Sequence, residues 1–429
     1  MEKIQPLNHG LRGKIEIPGD KSISHRAVML AGLGSTPVEI ENFLMGADCL
    51  STIECMRAMG VNIRELGDKI FVKGKGMHGL REPENVLDAG NSGTTLRLLL
   101  GLTAPQNFVA TFTGDDSLRK RPMARVIKPL AEMGAQIFGR NDNQNLPITV
   151  LKPARKFQAI TYELPVASAQ VKSAISLAAL YADGITTIIE PAPSRDHTER
   201  MLEAFGVEIE RQGNTVVKIS PAENLTAPEK ITVPGDMSSA AYWIVLATIL
   251  PNSSVTIKNV GINKTRTGIL DALTRMGAQI EIRNARESGG ETSADLKVTA
   301  AKLRGIEFGG VNVIPRLIDE IPALAVAAAF AEGDTIIRGV EELRVKETDR
   351  LAAIVSEFNK ISRGGFEATE DTLIIHGGAE KNFADCKTYG DHRMAMSLAI
   401  FGAAADGVSL DDAACVNISY PNFFEVIGD

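Results

Sequence analysis

One short pattern recurs along the chain and limits what it can fold into. An amphipathic run ends in a bulky residue, then glycine, a small residue and an alternating apolar stretch. It reads IECMRAMGVNI at 53–63, IKPLAEMGAQI at 127–137, ERMLEAFGVEI at 199–209 and ILDALTRMGAQI at 269–280. Gly60, Gly134, Gly206 and Gly277 stand 74, 72 and 71 residues apart. Apolar residues at i, i+3, i+4 and i+7 line one face of a helix. Glycine just past the helix end takes the left-handed cap conformation that other residues resist. The V/A-x-I that follows alternates like a strand. Any α/β protein contains such joints, but four copies near one period favour duplication. LAAIVSEFNKI at 351–361 reads as a fifth, degenerate copy, with Asn359 in the glycine's place.

A second repeat divides the chain. Ile17-Pro18-Gly19-Asp20-Lys21-Ser22 resembles Val233-Pro234-Gly235-Asp236-Met237-Ser238. Each follows a strand-like run and precedes a helix start rich in small residues, so the domain crossovers are placed there. The expected first domain is 20–233. The second joins 1–19 to 234–429, with the N-terminal strand pairing with the C-terminal half. A chain of 429 residues is too long for one ordinary core. Its 44% hydrophobic and 23% charged residues are enough to fill two.

The net charge of −7 argues against nucleic acid or an anionic membrane as partner, though a local basic cleft stays open. Cys49, Cys55, Cys386 and Cys415 form no CxxC pair, and the six histidines no HxxxH pair. No disulfide framework, metal site or cofactor is expected. The opening MEKIQPLNHGLRGKIEIPGD lacks the apolar core of a signal peptide. Ala323 to Ala331 is apolar but too short to span a bilayer. The expectation is a reduced, cytoplasmic chain.

Several motifs place charge at loop–helix junctions. GDKSISHRA (19–27) sets Lys21, Ser22 and Arg26 where helix-start amides and cations suit a phosphate or carboxylate; Ser22 as a plain N-cap is the alternative. DAGNSGTTLRL (88–98) offers Asn91 and Gly93 in a small polar turn able to form an anion nest, or simply a turn with a threonine cap. SLRKRPMARV (117–126) clusters Arg119, Lys120, Arg121 and Arg125 around Pro122, either as a solvated face or an ordered bend. PVASAQVKSA (165–174) alternates Ser168, Gln170 and Lys172 with small residues. In PSRDHTERM (193–201), Ser194 or Asp196 can cap a helix. Arg195 at its positive end is unfavourable unless it holds an anion. IDEIPALAVAAAF (318–330) puts Asp319 and Glu320 before an apolar helix, as caps or as a general base. LRVKETDRL (343–351) crowds Arg344, Lys346, Glu347, Asp349 and Arg350, with a helix salt bridge between Glu347 and Arg350 as the simple account. YGDHRMAM (389–396) makes Asp391 a candidate N-cap with His392 and Arg393 in the first turn. Singly, most of these have plain structural explanations. Together they describe a cleft for two phosphorylated anions.

In this order the motifs resemble those of the 5-enolpyruvylshikimate-3-phosphate (EPSP) synthase family, from about residue 5 to 425. GDKSISHRA, GNSGTT, KRPM, SAQ, RVKETDR and DHRMAM carry the match. SAQVKSA, SRDHTE and LIDEIP are similar to the class II branch, known for glyphosate-tolerant members. The resemblance implies an α/β fold: a two-domain inside-out α/β barrel, three βαβαββ units per domain, with the active site in the interdomain cleft. It implies shikimate-3-phosphate and phosphoenolpyruvate as substrates, no cofactor, and a monomer. Lys21, Ser22, Arg26, Ser168, Gln170, Arg195, Asp319 and Lys346 would hold shikimate-3-phosphate. Lys21, Asn91, Gly93, Arg121, Gln170, Arg350 and Arg393 would serve phosphoenolpyruvate. Lys21, Asp319 and Glu347 would be the acid–base groups. Ala169 stands where many members carry a second serine, and Ile418 where class I members carry a lysine.

The implied chemistry is addition, then elimination. The 5-hydroxyl attacks C2 of phosphoenolpyruvate while C3 gains a proton; the tetrahedral ketal then loses phosphate and a C3 proton. Protons move at two places, so at least two acid–base groups are needed. Asp319 is assigned to the hydroxyl and Glu347 to C3, where Lys346 and Arg350 should depress its pKa. Two rivals are weaker. UDP-N-acetylglucosamine enolpyruvyl transferases usually carry cysteine, sometimes aspartate, in the loop before their Arg-Pro, where Lys120 stands here, and RVKETDR matches them poorly. A duplicated nucleic-acid clamp fits neither the charge nor the 5% aromatic content.

Overall fold

Gly60, Gly134, Gly206 and Gly277 have φ of 89, 112, 85 and 104° in the computed structural model, which describes residues 1–428. They follow the helices Ala47–Ala58, Ala124–Glu132, His197–Ala204 and Gly268–Met276. They lead into the strands Asn62–Leu66, Gln136–Gly139, Ile209–Gln212 and Gln279–Ser288. A side chain would strain this left-handed backbone. The fifth copy departs from expectation. Helix Arg350–Ile361 runs through Asn359, which is therefore no cap. Its side chain instead clamps Phe366, donating from Nδ2 to the carbonyl at 2.7 Å and accepting from the amide at 3.0 Å. The left-handed glycine comes later, at Gly364 with φ 70°.

Among the described residues the strands form six small sheets with a common plan. In each, one strand has a parallel neighbour on one side and an antiparallel neighbour on the other. In strand Pro37–Glu41, for example, Ile40 pairs in parallel with Ile231 and antiparallel with Ile70. Parallel pairing needs a long crossover, and in four of the six sheets a helix lies in the segment that joins the parallel pair.

The chain divides into two compact units. The first-half unit holds 19–234 and also 287–291. The second-half unit holds 1–18, 235–286 and 292–429. Each encloses its own apolar core. Helices Met237–Ile249 and Ile321–Ala329 are apolar almost all round and are accordingly buried. Among the described residues, no helix is long and apolar enough to cross a membrane.

The two PGD segments behave alike. Asp20 caps helix Lys21–Leu33 by accepting from Ile23 N at 2.9 Å, and Asp236 caps Met237–Ile249 by accepting from Ser238 N at 2.8 Å. Ser22 is thus not a cap but a first-turn helical residue. The backbones pair reciprocally as well. Asp20 N donates to Pro234 O at 2.7 Å, and Asp236 N to Pro18 O at 2.9 Å.

Candidate active site

In the first-half unit, cations collect at helix starts. Lys21 begins helix Lys21–Leu33 and pairs with Asp48 at 3.2 Å. One turn on, Arg26 is buried and donates only to neutral oxygens in the bonds observed. They are Thr198 Oγ1 at 2.7 Å, Ser173 Oγ at 2.7 Å and Ser22 O at 2.8 Å. Burial pushes its pKa down to about 10 against the pull of Glu199. These neutral acceptors fix the guanidinium by hydrogen bonds rather than by a direct ion pair.

The Gly-bearing turn is ordered by Ser92, which caps helix Gly93–Thr103 by accepting from Thr95 N at 3.1 Å; the expected threonine cap is not used. Asn91 ties the turn to the basic bend, donating to Asp115 Oδ2 at 2.6 Å and accepting from Arg121 Nη2 at 2.9 Å. A Cβ on Gly93 would lie 2.6 Å from Arg97 Nη1 and 3.4 Å from Arg121 Nη1. Arg97 was not singled out from the sequence. Burial, with Arg125 and Arg121 nearby, pushes its pKa down to about 9. Its Nη1 donates to Gln170 Oε1 at 2.6 Å, and Gln170 Nε2 donates to Thr94 Oγ1 at 3.1 Å. The signal was an arginine inside the apolar run Leu96-Arg97-Leu98-Leu99. Ser168 stands at the N-cap of helix Ala169–Ala179 without a side-chain cap bond. It lines a small pocket with Arg125, Lys128 and Tyr162.

Helix His197–Ala204 follows Arg195. Neither Ser194 nor Asp196 caps it through a side-chain bond; Asp196 pairs instead with Arg200 at 2.8 Å. Lys172 is no ligand candidate. It is buried between Glu190 at 2.7 Å and Glu199 at 2.8 Å, and braces the segment from below.

In the second-half unit, carboxylates and arginines interlock. Arg350 is 0% exposed, the first residue of its helix. Its Nε donates to Asp391 Oδ2 at 2.7 Å, its Nη2 to Glu347 Oε2 at 2.5 Å, and its Nη1 to Asp319 Oδ1 at 3.4 Å. Burial opposes its charge, but Glu347 and Asp391 outweigh burial and hold the guanidinium protonated. The Glu347–Arg350 pair is not the helical bridge expected, because Glu347 precedes the helix and Asp349 is its cap. Lys346 pairs with Glu342, 2.6 Å away. Asp391 caps helix His392–Ala404, accepting from Arg393 N at 2.9 Å. Arg393 reaches Asp319, donating to its carbonyl at 3.3 Å, with a carboxylate oxygen at 3.7 Å.

Asp319 and Glu320 occupy a 3-10 turn, and neither caps helix Ile321–Ala329 through a side-chain bond. Glu320 is buried against Ser238 and Arg266, the latter at 3.6 Å. Arg266 also donates to Asp236 Oδ1 at 3.1 Å and Ser238 Oγ at 2.8 Å. Nothing in its local sequence marked it. Among the described residues, no group of three or more His, Cys, Asp or Glu is placed to hold a metal ion.

Buried arginines near helix starts, several of them interlocked with carboxylates, are set in a mixed α/β chain. The family model for EPSP synthase (3-phosphoshikimate 1-carboxyvinyltransferase) matches residues 7–427. The chain belongs to this family. A 3-phosphoshikimate 1-carboxyvinyltransferase of Desulforamulus reducens is 52% identical over 426 residues, covering 99% of this chain and 98% of that one. One from Bacillus cereus is 52% identical over 423 residues, 98% of this chain and 97% of its own. EPSP synthase from Acinetobacter baumannii superposes with a TM-score of 0.90 at 40% identity, covering 99% of this chain and 97% of that one. The enolpyruvyl transferase NikO from Streptomyces tendae shares the fold, with a TM-score of 0.78 at 20% identity, covering 99% and 96%.

Proposed function

We propose that this chain transfers the enolpyruvyl group of phosphoenolpyruvate to the 5-hydroxyl of shikimate-3-phosphate and releases phosphate. The observation that carries the reading is Arg350, a buried cation flanked by Asp319 and Glu347 and anchored by Asp391. Such an arrangement places charge stabilisation beside two carboxylates, as addition followed by elimination requires. Lys21, Asp319 and Glu347 are the acid–base groups. Ser22, Arg26, Ser168, Gln170, Arg195, Asp319, Lys346 and Lys21 hold shikimate-3-phosphate. Lys21, Asn91, Gly93, Arg121, Gln170, Arg350 and Arg393 serve phosphoenolpyruvate.

The same reading takes each half as three βαβαββ units in an inside-out barrel, with domains 20–233 and 1–19 plus 234–429. It puts the reacting centre in the interdomain cleft of a cytoplasmic monomer. The common plan of the six sheets supports the repeat. The test is phosphate release from the two substrates in the presence of EDTA. Sustained turnover that needs both substrates is expected. No turnover with shikimate-3-phosphate, but turnover with UDP-N-acetylglucosamine, would overturn the reading.

A further inference from the structure

The first-half unit is not built from one continuous stretch of chain. Residues 287–291 belong to it, although the strands on either side mostly belong to the second-half unit. They form the turn of the hairpin Gln279–Ser288 and Glu291–Thr299. The turn is fitted closely to its host. Ser288 Oγ accepts from Thr232 N at 2.8 Å. Gly290 has φ +84°, and a Cβ there would lie 2.3 Å from Arg200 O. Only glycine tolerates both that backbone and that approach.

The turn delivers Glu291. Its Oε1 lies 2.7 Å from His197 Nδ1, and each side chain is 2% exposed. His197 opens the helix His197–Ala204. The next residue, Thr198, accepts from Arg26 Nε. Two residues back stands Arg195. The helix start is therefore gripped from two sides, by Lys172 on Glu199 and by Glu291 on His197. A short helix gains little from its own hydrogen bonds, so its orientation must come from such contacts. Glu291 is the contact that the unit's own continuous sequence does not supply.

We propose that Glu291 is a positioning residue for the phosphate end of shikimate-3-phosphate. By holding His197 it fixes the helix start that carries Arg195 and steadies Arg26. This rests on the reading that Arg26 and Arg195 bind that substrate. A misplaced cation weakens recognition of the phosphate more than of the ring, and leaves the other substrate's contacts alone.

The experiment measures binding of shikimate-3-phosphate and of unphosphorylated shikimate by calorimetry, with steady-state kinetics, on the full chain. Glu291→Ala is expected to weaken shikimate-3-phosphate about tenfold, with shikimate binding, the KM for phosphoenolpyruvate and kcat all within about twofold. Glu291→Gln, which keeps an acceptor for the imidazole, should recover most of the loss. If Glu291→Ala does not fold, His197→Phe breaks the same pair while filling the space and carries the same expectation. An unaltered chain that binds both ligands equally would sink the site reading, and the proposal with it. A preference for the phosphorylated ligand that Glu291→Ala and His197→Phe leave intact would overturn the proposal alone. So would a parallel loss of both substrates, the mark of general loosening.

Discussion

Glu347 meets Arg350 at 2.5 Å, yet Arg350 keeps two further carboxylate partners without it. Glu347→Gln should therefore leave the local structure in place. We expect kcat to fall roughly 10²-fold or more, the scale of a lost general acid–base group. Binding of shikimate-3-phosphate should change little. A collapse of that binding with kcat preserved would make Glu347 a structural ion-pair partner. Gly93 works through a different mechanism. A methyl there meets Arg97 Nη1 at 2.6 Å, and Gln170 restrains that guanidinium from behind. Arg97 must then shift and Arg121 is crowded, and Gly93 and Arg121 are among the residues proposed to serve phosphoenolpyruvate. Gly93→Ala should raise the KM for phosphoenolpyruvate. It should raise the inhibition constant of glyphosate, a mimic of that substrate, by a larger factor. Equal changes in the two would refute a selective steric role.

At the scale of elements, the caps separate structural work from functional work. Asp391 caps helix His392–Ala404 and also faces Arg350, both side chains being 0% exposed. Asparagine preserves the cap but removes the charge. Asp391→Asn should cost about 3 kcal/mol, the scale of a broken buried ion pair. Ser92→Ala loses a cap but no ion pair, and should cost about 1 kcal/mol. Urea midpoints rank the two, and the reverse order would mean that the neighbouring carboxylates fully replace Asp391. The helix–glycine–strand joints were legible in the sequence because a left-handed cap leaves so few choices of residue. Asn359 misled because asparagine also tolerates that conformation, while here its amide serves Phe366 from inside a helix. Caps were the less legible part. Ser22 and Ser194 both have cap chemistry, yet Asp20 and Asp196 stand at the N-cap positions. Arg97 and Arg266 were missed because the burial of an arginine is decided by tertiary packing. Glu291 was missed because Ser288-Gly289-Gly290 reads as an ordinary hairpin turn, with nothing local to say what it docks against.

At the scale of the whole molecule, the proposed ligands of one small substrate come from both units. Lys21, Ser22, Arg26, Ser168, Gln170 and Arg195 lie in the first-half unit, and Asp319 and Lys346 in the second. A ligand stabilises whatever it binds only in the native state, by about 2.7 kcal/mol at a hundred times its Kd. Amide hydrogens that exchange through opening of a bound segment should slow by up to the same factor. At that concentration shikimate-3-phosphate should protect helices Lys21–Leu33 and His197–Ala204. It should protect the start of Ile321–Ala329 and the residues before Arg350–Ile361 as well. Unphosphorylated shikimate at equal concentration should protect less, since it lacks the phosphate charge that the proposed cationic ligands would meet. Salt should narrow that difference, because the Debye length falls to about 3 Å at 1 M. Protection confined to the first-half unit would mean that Asp319 and Lys346 do not touch this substrate. Asp319 would then lose its claim to be the base at the 5-hydroxyl, because a base must stand within hydrogen-bond reach of the proton it takes.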